Sequence, residues 1–111
     1  MRKYSPRRQS ARWLDGDCPR GVLAIYDNGA DHAFDRWDVF YAETETDHRG
    51  DVWIAYRGMS EDPCHPQGFG IGDAMRAHDV AAYRYRVRHQ ATRWTDLPEA
   101  VRAVVRRDLA N

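Results

Sequence analysis

Lysine is almost missing from this chain: Lys3 stands alone against sixteen arginines. Cysteine is nearly as scarce. Cys18 and Cys64 are too few for the disulfide framework of a small secreted scaffold; they read either as two reduced thiols, the plainer reading, or as one Cys18–Cys64 bridge, for which nothing in the sequence argues. No apolar run approaches the ~20 residues that a membrane-spanning helix needs. The opening stretch, MRKYSPRRQSARW, is basic but has no apolar core. It therefore lacks what a secretory leader requires, and the expected location is the cytoplasm. Serine occurs only as Ser5, Ser10 and Ser60, and neither Gly-x-Ser-x-Gly nor His-Glu-x-x-His is present. The nucleophile elbow of serine hydrolases and the zinc helix of metalloproteases are thus absent as motifs.

What remains is the composition of one folded domain. A chain of 111 residues with 42% hydrophobic and 12% aromatic residues can bury one modest core. Its net charge of zero hides a segregation. Residues 1–12 carry five basic side chains and no acid. Residues 13–75 carry four arginines against thirteen acids, and residues 76–111 carry eight arginines against four acids. Such a pattern implies either an electrostatic partner or neutralisation within the fold.

Residues 1–20, broken by Pro6, Gly16 and Pro19, show no period. They read as a basic arm in which nothing demands order, ahead of a single domain over 21–111. VLAIY at 22–26 reads as a buried strand followed by an Asp-Asn-Gly turn. Residues 36–43 and 51–57 alternate and form an antiparallel hairpin. Trp37, Val39 and Tyr41 share one face of it, and Asp38 and Phe40 the other. Both faces are apolar, so one is expected under a helix and the other under loops or a partner. Residues 58–80 hold four glycines and two prolines and read as irregular, with one helical turn near 73–78. AAYRYRVRH at 81–89 alternates Tyr83, Tyr85 and Val87 against Arg84, Arg86 and Arg88, which predicts a further strand. Leu97, Val101, Val104, Val105 and Leu109 recur at helical spacing and predict a helix over 97–110 with Asp96 as its cap. The fold class is α+β: an antiparallel sheet of three to five strands with one C-terminal helix packed on a face.

Four segments carry a resemblance: YDNG at 26–29, DRWDVFY at 35–41, GMSEDPCHPQGFGIG at 58–72 and TDLPEAVRAVVRRDL at 95–109. In order and content they resemble a family of small uncharacterised proteins of bacteriophages, plasmids and bacterial genomes. That family runs YDNGG, a D-R-Y/F before a strand, an N-P-F-H-P-Q-G-F-G loop and a closing L-P helix. Ala30, Asp62 and Cys64 depart from its pattern. The resemblance implies a mobile-element setting and no particular activity.

Two loops collect the polar residues suited to binding. One holds Tyr26, Asp27, Asn28, Asp35 and Arg36; the other holds His65 and Gln67 between prolines and glycines. Either loop serves a ligand, or its side chains hold their own turns in shape. Asp27 with Asp35 would suit acid–base work or a cation if they converge, with His65 as a third group of a small enzyme. A zinc set drawn from Cys18, Cys64, His65 and His78 fits no usual ligand spacing, so neither metal nor cofactor is expected. Arg84, Arg86 and Arg88, together with the basic arm, offer an alternative nucleic-acid surface. The expected activity is non-enzymatic binding through the 26–36 and 60–70 loops. A host or phage protein stands ahead of nucleic acid as the partner, and pairing through an arginine-bearing edge would give a homodimer.

Overall fold

The alternating segments at the centre of the chain form the centre of the sheet. In a computed structural model that describes residues 6–14, 16–31, 35–60 and 73–110, strand β2 (Trp37–Thr46) pairs antiparallel with β3 (Val52–Met59). β1 (Val22–Asp27) pairs antiparallel with the other side of β2, and β4 (Asp73–Arg76) with the other side of β3. The order is β1-β2-β3-β4. Helix α1 (Ala77–Arg86) follows β4 directly, and α2 (Glu99–Ala110) closes the described chain after two 3-10 turns.

The hairpin turn is built around one carboxylate. Asp47 Oδ1 accepts the backbone N–H groups of Arg49 and Asp51, and its Oδ2 accepts Trp53 Nε1–H. Gly50, at φ 86°, supplies the left-handed residue the turn requires.

Each face of the sheet carries its own core. Val22, Ile25, Trp37, Val39, Tyr41 and Met59 pack against Trp94, Leu97, Val101, Val104 and Val105, so the predicted stripe is the buried face of α2. Phe40, Ile54, Leu23, Ala24 and Tyr26 form the second cluster with Ala77 and Val80 of α1. A bulge in β1 between Val22 and Ala24 lets Leu23 and Ala24 both enter this second core.

Three expectations are corrected here. Residues 81–89 form most of α1 and the 3-10 turn Arg88–Gln90, not a strand. Ala77, Val80, Tyr83 and Val87 bury at helical spacing against Phe40 and its neighbours. The apolar second face demanded a cover, and alanine and arginine are good helix formers. The face left to loops or a partner is thus covered by a helix of the chain itself. The turn expected near 73–78 is β4 running into α1.

The described part of the N-terminal segment is irregular and docked. Gln9 donates its backbone N–H to Leu23 O and accepts Ile25 N–H at its side-chain Oε1. Trp13 O accepts from Trp94 N, and Leu14 is buried in the α2-side core. Thr92 N–H bonds Ile25 O, and Ala91 bridges to Tyr26. These contacts cover the outer edge of β1, which removes that edge as a site for strand pairing between copies.

Candidate functional site

The described ends of the loop that joins β1 to β2 are held by their own side chains. Asp27 Oδ1 accepts Gly29 N–H, the signature of an Asx turn, and Gly29 adopts φ 93°. Arg36 clamps the same carboxylate with Nε at 2.5 Å and Nη2 at 3.1 Å. That guanidinium holds the Asp27 carboxyl below the usual carboxylate range, with burial acting against it. Asn28 donates Nδ2–H to Asp35 O and to Asp38 Oδ2. Tyr26 is buried, and its phenol oxygen accepts Arg84 Nε–H at 3.0 Å.

Of the residues singled out in the sequence, Asp27, Asn28, Asp35 and Arg36 do meet, with one change of partner, while the Tyr26 side chain turns to Arg84 and Phe40. Asp27 belongs to Arg36. The carboxyl that Asp35 faces is Asp38. Asp38 is 95% buried on the α1 face, where Tyr83 O–H of α1 bonds its Oδ2 at 2.5 Å. Asp35 is an exposed residue whose carboxyl turns inward, with Oδ1 2.5 Å from where a Cβ on Gly58 would stand. Burial first, and then the hydrogen bond and charge of Asp38, push its pKa up to about 7. Burial and Asp38 likewise push the Tyr83 phenol upward, and burial followed by the surrounding carboxylates does the same for Tyr56. The arrangement is a carboxyl pair that keeps one proton near neutral pH.

Asp38, Tyr83 and Gly58 were not singled out in the sequence. The available signal was an acid in phase with Phe40 on a strand face otherwise apolar. His65 and Gln67 fall within 61–72 and lie outside the described residues. Arg84, Arg86 and Arg88 do not form a row: Arg84 turns onto Tyr26, Arg86 stacks on Tyr83, and Arg88 on Tyr85. Among the described residues no three His, Cys, Asp or Glu side chains gather as a metal site.

The carboxyl pair gives stability a definite pH dependence. The folded protein keeps the Asp35 proton up to about pH 7, whereas the unfolded chain releases it near 3.8. The contribution is therefore fully present below about pH 4 and is lost as pH rises through 7. We expect a lower denaturation midpoint at pH 8 than at pH 5, and Asp35→Asn should flatten that difference. An unchanged slope in the variant would assign the titration elsewhere. Gly58→Ala tests the same pair by shape. Its methyl collides with the Asp35 carboxyl before it reaches Asp38 Oδ1 at 3.4 Å. Asp35 should swing into water, and its pKa, followed by carboxyl NMR, should fall toward the ordinary value.

A second feature lies on the opposite face. α2 covers β1, β2 and the end of β3, leaving the outer half of β2, β3 and β4 open as a groove of about 550 Å³. Tyr41, Trp53, Ala55 and Arg57 line it, and Glu43 and Glu45 stand along β2. Asp108 and Leu109 at the end of α2 form one wall. Glu45 is directly opposite Trp53, and Ala55 opposite Ala74. Arg57 is neutralised by Asp108, with Nε at 2.6 Å and Nη2 at 2.9 Å. Neither Glu43 nor Glu45 has an ion-pair partner among the described residues, and both are exposed.

No protein-family model, no curated protein and no solved structure matches this chain.

Proposed function

We infer that this protein works by binding, without catalysis, and that its groove receives an extended basic segment of a partner protein. The observation that carries this reading is the pair Glu43 and Glu45, unpaired and on one strand face beside an aromatic floor. Alternate residues of a strand stand about 7 Å apart on one face. Two cationic side chains at alternate positions of an extended segment match that spacing. Trp53 already takes one guanidinium, that of Arg76 at 5.4 Å from the ring centre, so its surroundings suit stacked cations.

The described ends of the 26–36 loop serve this reading as a support, because Asp27 and Arg36 pair with one another. The setting is the one the motif resemblance implies: a phage, plasmid or other mobile element, acting in the cytoplasm on a host or phage protein. No helix of the described residues is long and apolar enough to cross a membrane. Calorimetric titration with a peptide of alternating arginine and serine tests the reading. Binding should be lost in the Glu43→Gln/Glu45→Gln double variant and should be absent for a peptide with glutamate in place of arginine. Equal binding by wild type and double variant, or no binding by wild type, would remove it.

A further inference from the structure

The two basic ends of the chain, far apart in sequence, come together in space along β1. Residues 6–14 and 84–94 contain seven arginines and no carboxylate. The first segment reaches β1 through Gln9, the second through Ala91 and Thr92, and they join where Trp94 N bonds Trp13 O. Three of the seven arginines hydrogen-bond the protein itself, Arg88 through Nη1 to Tyr85 O at 2.6 Å. Arg8 bonds the carbonyls of Val22 and Pro19, and Arg84 bonds Tyr26. Arg7, Arg12, Arg86, Arg88 and Arg93 are exposed, as is His89. None of these five arginines has a carboxylate partner among the described residues, whereas Arg36, Arg57, Arg76, Arg102 and Arg106 are all paired.

We propose that this β1 edge is a binding face for single-stranded nucleic acid. The face combines guanidinium forks, which suit phosphate, with aromatic rings that suit bases. Tyr85 is 67% exposed, and Arg88 lies 4.1 Å from its ring centre. Trp13, partly buried, carries Arg12 at 5.0 Å. The zero net charge does not cancel this face. Glu43 and Glu45 stand on β2 beyond the stretch that pairs with β1, beside the open groove. Of the carboxylates tied to this face, Asp17 is held by Trp94 Nε1–H and Arg106, and Asp38, behind Tyr83, is buried. An acidic protein would use the arginines but not the exposed ring of Tyr85, and so it is the competing partner for the test.

The experiment is fluorescence anisotropy of a labelled twenty-residue oligothymidylate with the full chain at 50, 100 and 200 mM salt. Affinity should fall linearly with salt on logarithmic axes. Arg88→Gln/Arg93→Gln should weaken binding and lower the slope by about 1.4, at about 0.7 for each single-strand phosphate that is no longer neutralised. Tyr85→Ala should weaken binding about tenfold by removing a stacking partner of the bases. The same variant should leave the affinity for poly-glutamate unchanged. Arg107→Gln on the exposed side of α2 should change nothing. All these positions are exposed, and unchanged melting temperatures confirm that the variants fold. Absence of binding at 50 mM salt overturns the proposal. So does poly-glutamate binding as tight as the oligonucleotide's with no effect of Tyr85→Ala, the result that assigns the face to an acidic protein.

Discussion

Trp94→Ala is expected to lower the melting temperature by on the order of 15–30 °C, the largest single effect in this domain. Trp94 is fully buried in the core between the sheet and α2. Its neighbours cannot collapse into the space of an indole, since they are themselves anchored on β1, β2 and α2. Truncation of a buried tryptophan costs about 3–5 kcal/mol, against a total stability of about 5–15 kcal/mol. Two further functions add to packing. Nε1–H bonds Asp17 at 2.9 Å, and the Arg106 guanidinium stacks on the ring at 5.5 Å, so the residue ties the segment before β1 to α2. Trp94→Phe separates these roles. It keeps most of the volume and loses the N–H donor, and a drop of a few degrees is expected from it. Asp17 should respond as well. The Trp94 hydrogen bond is the chief cause of its lowered pKa, which supplies stability above the unfolded value that is lost as pH falls. In Trp94→Phe the acid limb of the stability profile should therefore move toward higher pH. A truncation that cost only a few degrees would mean that the α2-side core is not the main source of stability.

The elements legible in the sequence were those whose pattern matched their burial. In β2, Trp37, Val39 and Tyr41 alternate with Asp38 and Phe40, and the structure sends the two sets to opposite cores. In α2 the valine and leucine stripe is the buried face. Residues 81–89 misled because tyrosine and arginine happen to alternate there over a few residues. The burial that decides the matter begins earlier, at Ala77 and Val80, and continues to Tyr83 and Val87. A pattern read from residue 81 onward had no access to that start. It also had no access to the requirement that Phe40 and Ile54 be covered from above.

The site was legible by segment but not by pair. Both ends of the 26–36 loop come together as their turn chemistry suggested, and Arg36 does find a carboxylate. That it finds Asp27, and leaves Asp35 to Asp38, follows from register: Tyr26 stands opposite Asp38 and Asp27 opposite Trp37. A bulge at Val22–Ala24 helps set that register, and single residues do not announce a bulge. The charge segregation was legible in full as a count. Its meaning was spatial: the basic ends share one sheet edge, while Glu43 and Glu45 stand beside the open groove.

Asp108→Ala is the second substitution expected to have a large effect, and it connects stability to the groove. Asp108 closes three elements at one point: it accepts Arg57 of β3 through both oxygens and Tyr41 O–H of β2, from a position on α2. Both side chains of the ion pair are only 17% exposed. Burial, and after it the hydrogen bond to Asp108 and the charge of Asp108, raise the Tyr41 phenol well above its usual pKa, and Asp108 also raises Arg57. Removing the carboxylate takes away the acceptor that the Arg57 guanidinium and the Tyr41 hydroxyl share, at a point where both members of the ion pair are largely buried. We expect a cost of about 2–4 kcal/mol, read as a melting temperature lower by on the order of 10–20 °C. Tyr41→Phe deletes a donor and leaves no charge unpaired, so it should cost about 1 kcal/mol. The Arg57→Met/Asp108→Leu double variant removes both charges together and should recover much of the loss, because apolar side chains of similar volume carry no desolvation cost. Since Asp108 and Arg57 also line the groove, the same double variant should fold and yet bind a basic peptide differently from wild type. Asp108→Ala melting within two or three degrees of wild type would show that the clamp is open to water.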